Sequence, residues 1–145
     1  MKSTKILLFV ALLGIVFSAG KCKKKDKGTT TPGIKGNWKI VSITNSAGAT
    51  PANLANMVNG IASFGDTNYE FKNNSGGSAE TGTYVYDANA KTLTVTPAGT
   101  SVFTNANAQY TFEAELASPN LTLRVNIAPA GKPANIITVS LQKQE

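Results

Sequence analysis

Glu113 and Glu115 are spaced for carboxylate chemistry in this 145-residue chain. Two residues apart on an extended strand places them on one face, about 7 Å from each other at roughly 3.4 Å per residue. Glycoside hydrolysis uses two carboxyl groups about 5–9.5 Å apart, one as acid and one as base or nucleophile. These two glutamates, however, share their face with Thr111 and alternate against Tyr110, Phe112, Ala114 and Leu116. They read as a solvated strand face rather than a cleft. Glu70, Glu80 and Asp87 read equally as surface charge, and Asp66-Thr67-Asn68 lacks the further ligands and the length of a calcium loop. No Gly-rich loop follows a strand and opens a helix, as a phosphate cradle requires. The chain has no histidine, and its one thiol, Cys22, precedes the body of the protein. That excludes His-based acid–base work, zinc centres and Ser-His-Asp or Cys-His sites. The expectation is a non-catalytic protein with no cofactor and no metal.

Cys22 matters for location instead. Lys2 and Lys5 precede an apolar run from Ile6 to Phe17, followed by Ser18-Ala19-Gly20-Lys21-Cys22 and a Lys-rich stretch. A helix over that run is about 18 Å long at 1.5 Å per residue, too short for a bilayer core of about 30 Å. A cleaved export signal is the better reading. Two cleavages compete. In one, Cys22 is lipidated and becomes the first residue; in the other, the small residues Ser18 and Gly20 direct a cut before Lys21. The second would leave one exposed, unpaired thiol in an oxidising compartment, which favours the first. Residues 1–21 are thus expected to be a signal peptide, and residues 22–33 a lipidated cysteine and disordered tether. The expected partner is a membrane, held through Cys22.

The net charge of +6 does not point to nucleic acid. Before Gly33 seven lysines face Asp26 alone, whereas from Gly33 onward seven basic residues balance seven acidic ones. The body is neutral and has no basic stripe, so no nucleic-acid partner is expected. The basic cluster from Lys21 to Lys27 reads as a solvated tether beside the anchor, with attraction to anionic headgroups as the sharper alternative.

Residues 34–145 suffice for one domain with one core. Period-two alternation dominates. Strands are predicted at Asn37–Thr44, with Trp38 and Ile40 on one face; Thr67–Lys72, with Tyr69 and Phe71; Thr81–Asp87, with Tyr84 and Tyr86; and Lys91–Thr96, with Leu93 and Val95. Thr100–Phe103 reads as a further short strand. Gln109–Ala117, Leu121–Ile127 and Asn135–Gln142 complete the set, and Pro129 to Pro133 reads as a loop. One short helix interrupts the pattern: Thr50 as N-cap, Pro51 at the first helical position, then Leu54, Met57, Val58 and Ile61 at helical spacing, with Asn59-Gly60 ending or bending it. The fold class expected is all-β: a small antiparallel up-and-down barrel of seven or eight strands, with one short helix after the first strand that caps one end.

Four elements in order carry a resemblance to a known family. Gly36-Asn37-Trp38 opens the first strand. Tyr69-Glu70-Phe71, Gly82-Thr83-Tyr84 and Lys91-Thr92-Leu93-Thr94-Val95 follow. Behind a lipoprotein-type leader, this order resembles the lipocalin-like domains of Bacteroidota lipoproteins, over about Ile34 to Leu141. The departures are a shorter chain, Lys21 where such leaders usually carry Gly, Ala or Ser, and Arg124. As the only arginine it alternates onto the polar face, so the family's arginine that stacks on the first-strand Trp is not assigned. The resemblance implies a lipid-anchored envelope protein, the outer membrane being favoured and a secreted or periplasmic form the alternative. It also implies a small hydrophobic or amphipathic ligand, contacted by interior residues such as Trp38, Tyr69, Phe71, Tyr84, Tyr86, Tyr110 and Phe112. The competing expectation from size is a solidly packed core in a module that meets another envelope protein.

Overall fold

The computed structural model describes residues 33–128 and 134–145. The leader, Cys22, the tether up to Pro32 and the Pro129–Pro133 loop lie outside the described residues. Eight antiparallel strands form a closed barrel in chain order: β1 Gly36–Thr44, β2 Ile61–Phe64, β3 Asn68–Lys72, β4 Ser78–Asp87, β5 Thr92–Pro97, β6 Tyr110–Ala117, β7 Asn120–Ile127 and β8 Asn135–Lys143. β8 closes on β1 through pairs such as Trp38 with Lys143 and Ile40 with Leu141. Closure leaves no free edge strand among the described residues.

The alternation read from the sequence sets which side chains enter the barrel. Tyr69 and Phe71 on β3, Leu93 and Val95 on β5, Phe112 and Ala114 on β6, Leu121, Leu123 and Val125 on β7, and Ile137, Val139 and Leu141 on β8 are all buried. Their neighbours Thr111, Glu113 and Glu115 point out to solvent. A β-bulge between Ile40 and Ser42 shifts the parity of β1, so Ile43 is buried along with Trp38 and Ile40, while Val41 is turned outward.

Two elements differ from expectation. The helix spans Ala52–Met57 and is a 3-10 helix, with Pro51 at its cap position in extended geometry and no side-chain capping bond. It packs Leu54 and Met57 into the core. Ile61 does not continue it but starts β2. Asn59 adopts a left-handed φ of 68°, and at Gly60 the chain approaches the Lys72 carbonyl too closely for any side chain. That turn delivers Ile61 onto its β3 partner Lys72. The second difference is Thr100–Phe103, which is no strand. It lies in the β5–β6 connection, residues 98–109, where the Ser101 hydroxyl accepts hydrogen bonds from the Phe103 and Thr104 amides at 3.1 and 3.3 Å. A side-chain turn of this kind competes with strand pairing.

Antiparallel alternation puts the long β1–β2 connection, with its 3-10 helix, at the same end of the barrel as the β5–β6 loop. The Asn53 amide donates to the Val102 carbonyl at 3.2 Å, tying the two together. At the opposite end Ile34 and Trp38 are buried, and Trp38 Nε1 donates to the Ile34 carbonyl at 2.7 Å.

Candidate functional site

Glu80 corrects the sequence reading. It is 5% exposed, not a surface charge. It lies on β4 with the same parity as Gly82, Tyr84 and Tyr86, so the strand turns it inward. Oε1 accepts hydrogen bonds from the hydroxyls of Tyr69 and Tyr110, each at 2.6 Å. Oε2 accepts one from the Val102 amide at 2.8 Å. Burying a carboxylate without a cation costs several kcal/mol; hydrogen bonds to a charged group contribute about 1.5–3 kcal/mol each. Three short donors explain how the charge is held. Among the described residues the ion pairs are Lys35–Asp66, Lys72–Glu70 and Arg124–Glu115, and none involves Glu80.

The strands place these groups by register. Tyr69 on β3 pairs with Gly82 on β4. A Cβ at Gly82 would meet the Tyr69 ring at 2.9 Å and would also collide with the Thr96 carbonyl. Glycine there lets the Tyr69 ring lie across β4 and carry its hydroxyl to Glu80, two residues along. Tyr110 opens β6 and reaches the same oxygen from the other side of β5. Burial, followed by the hydrogen bond to Glu80, pushes the Tyr69 phenol far above the usual tyrosine range; burial, followed by the charge of Glu80, does the same to Tyr110. Both are fixed as neutral donors.

Around this carboxylate the interior is aromatic. Phe71 packs edge-to-face against Tyr69 at 5.4 Å and Phe103 at 5.3 Å, and Phe112 against Phe103 at 5.5 Å and Tyr110 at 5.2 Å. Phe64 links this group to Tyr84, with ring centroids 6.2 Å from Phe71 and 5.3 Å from Tyr84. A cleft of about 290 Å³ opens beside Glu80, lined by Ser78, Ala79, Thr81 and Ala98 to Thr100.

Of the interior residues expected from the sequence, Tyr69, Phe71, Tyr110 and Phe112 come together around Glu80. Tyr84 is half-buried, and its hydroxyl donates to the Gly65 carbonyl at 2.7 Å. Tyr86 is half-buried further along β4, opposite Leu93. Trp38 sits at the other end, where the Lys143 ammonium lies 4.6 Å over its ring. A lysine of the last strand thus takes the stacking position that no arginine fills here; Arg124 pairs with Glu115 on the outer face at 3.4 Å. Sequence reasoning missed Glu80, Phe64, Phe103 and Lys143. Period-two parity with Tyr84 would have found Glu80, but the other three depend on a short strand, a loop insertion and the register of barrel closure.

An up-and-down barrel of eight strands with a Gly-x-Trp first strand is the architecture of the lipocalins. A family model described as a lipocalin-like domain matches residues 34–123, and the chain belongs to that family. The matched segment ends within β7, so β8, which closes the barrel, lies beyond it. No curated protein matches the chain.

Proposed function

We propose that this protein is an extracytoplasmic, lipid-anchored lipocalin-like barrel that binds one small hydrophobic or amphipathic ligand and is not an enzyme. The observation that carries the binding reading is the aromatic interior gathered around one buried, hydrogen-bonded carboxylate. Apolar walls with a few converging polar groups are what small-molecule sites are made of. The anchor reading rests on the leader and on Cys22 as the only thiol, with the outer membrane as the favoured address. Mass spectrometry of the protein purified from its own host tests both parts together. The expected result is a chain beginning at an acylated Cys22 with a small molecule retained under native conditions. A chain beginning at Lys21 with no acyl mass would refute the anchor.

A second reading has its own support. The Phe103 ring packs against those of Phe71 and Phe112 inside the barrel at 5.3 and 5.5 Å, as it would in a solid core. On that reading the barrel is a rigid envelope module that meets another protein through its surface. It predicts no saturable uptake of any small apolar molecule.

A further inference from the structure

Phe103 differs from the other rings of the interior in its origin. Phe71, Tyr69, Tyr110 and Phe112 are fixed on strands, whereas Phe103 enters from the β5–β6 loop and is 2% exposed. Its centroid lies 5.3 Å from Phe71, 5.5 Å from Phe112 and 6.4 Å from Tyr110. Few polar contacts hold this tip to the barrel. The Val102 amide donates to Glu80 Oε2, and the Val102 carbonyl accepts from Asn53. Bonds such as those from the Phe103 and Thr104 amides to Ser101 Oγ, and from the Asn105 amide to the Ser101 carbonyl, are internal to the loop and would travel with it. Thr104 Oγ1 is buried with no hydrogen-bond partner; moving the loop outward returns that hydroxyl to water, a gain that favours displacement.

Displacement of the tip would leave a defined vacancy: three aromatic walls, and a carboxylate whose Oε1 keeps two phenol donors while Oε2 has lost its own. An acceptor left unmet in the interior is costly, so whatever fills the space must supply an N–H or O–H. An ammonium suits it best, because the Glu80 carboxyl pairs with no cation among the described residues.

We propose that Phe103 is a built-in stand-in for the ligand, and that the ligand is an arylalkylamine, an aromatic ring carrying an ammonium on a short alkyl arm. Its ring replaces that of Phe103 among Phe71, Tyr110 and Phe112, and its ammonium replaces the Val102 amide on Glu80 Oε2. This rests on the ligand-binding reading above and narrows it to one chemical class.

A matched set of indoles tests it by calorimetry at neutral pH: tryptamine as the cation, 3-ethylindole as the neutral ring, and indole-3-propionate as the anion. On the wild-type protein tryptamine is expected to bind at one site per chain, at least about tenfold more tightly than either of the others. It should shift the amide resonances of Val102 and Phe103. Glu80→Gln should bring tryptamine and 3-ethylindole to within about twofold of each other. Phe103→Ala should tighten all three, its fold checked by circular dichroism; the wild-type comparison does not depend on it. Equal affinities for the three indoles, or a tryptamine preference that survives Glu80→Gln, would overturn the proposal. So would a fluorescent fatty-acid analogue that binds while tryptamine does not, which leaves the broader reading standing. Failure of both probes on a folded barrel would overturn both.

Discussion

The Tyr110 hydroxyl reaches Glu80 Oε1 at 2.6 Å across thirty positions of sequence. That contact joins β6 to β4 through the barrel interior, and Tyr69 repeats it from β3 on the same oxygen. It fixes both rings in angle and gives the interior a polar focus.

Removing one donor and removing the acceptor should differ in cost. Tyr110→Phe deletes one hydrogen bond to a charge and is expected to destabilise the barrel by about 1.5–3 kcal/mol. Glu80→Ala strands two phenols and the Val102 amide together, each unmet donor costing about 1–3 kcal/mol, so its loss should be the larger. Urea titration of both variants measures the difference. A neutral Glu80→Ala would mean that the carboxylate is solvated.

The same contacts predict an alkaline transition. The phenols of Tyr69 and Tyr110 are raised above their ordinary value of 10.0 by burial first and by Glu80 next. A folded-state pKa above the unfolded one gives stability that is complete below pH 10 and is lost as the pH rises beyond it. The denaturation midpoint should stay level from about pH 7 to 9.5 and then fall, by at most about 1.4 kcal/mol per pH unit for each phenol. Tyr110→Phe should make that fall shallower. An identical slope in the variant would contradict the assignment.

Trp38 and Glu113 lie on opposite faces, buried and exposed. Trp38→Ala should cost about 3–5 kcal/mol, and Glu113→Ala less than about 0.5 kcal/mol. Lys143→Met should cost about 0.5–1 kcal/mol through the lost cation–π contact and should alter the fluorescence of the chain's one tryptophan. Denaturant midpoints and emission spectra report these effects; equal midpoints for the first two variants would mean misassigned strand faces.

The anchor has a simple assay. Cys22→Ala should move the protein from the membrane to the soluble fraction and abolish the acyl mass. An unchanged membrane fraction would mean that something other than this cysteine holds it.

Much of the barrel was legible because its strands are buried on one side only. Leu93 and Val95, or Leu121, Leu123 and Val125, alternate against threonines and charges, and that period is visible without knowing any partner. β2 escaped notice because Ile61 follows Met57 at helical spacing; the left-handed Asn59 that breaks the helix shows only in the backbone. The bulge at Val41 inverts the parity of β1, and nothing in the residue types announces it. Glu80 was misjudged by type: glutamates are rarely buried, and its register with Gly82 and Tyr84 carried the contrary signal. Phe103 enters the core from a loop, so it belongs to no period. Lys143 meets Trp38 only because the last strand pairs with the first, a relationship set by closure rather than by neighbouring residues.

The central claim is that the barrel interior accepts a ligand, and titration with a fluorescent fatty-acid analogue tests it most directly when wild type is compared with Phe112→Trp and Tyr84→Trp. The prediction is saturable uptake at one molecule per chain, lost or strongly weakened in both variants because the larger rings fill the space, while circular dichroism shows the barrel intact. No saturable uptake of fatty-acid, sterol or quinone-like probes, nor of tryptamine, by the folded wild-type protein would contradict the claim and leave the solidly packed envelope module as the function of this fold.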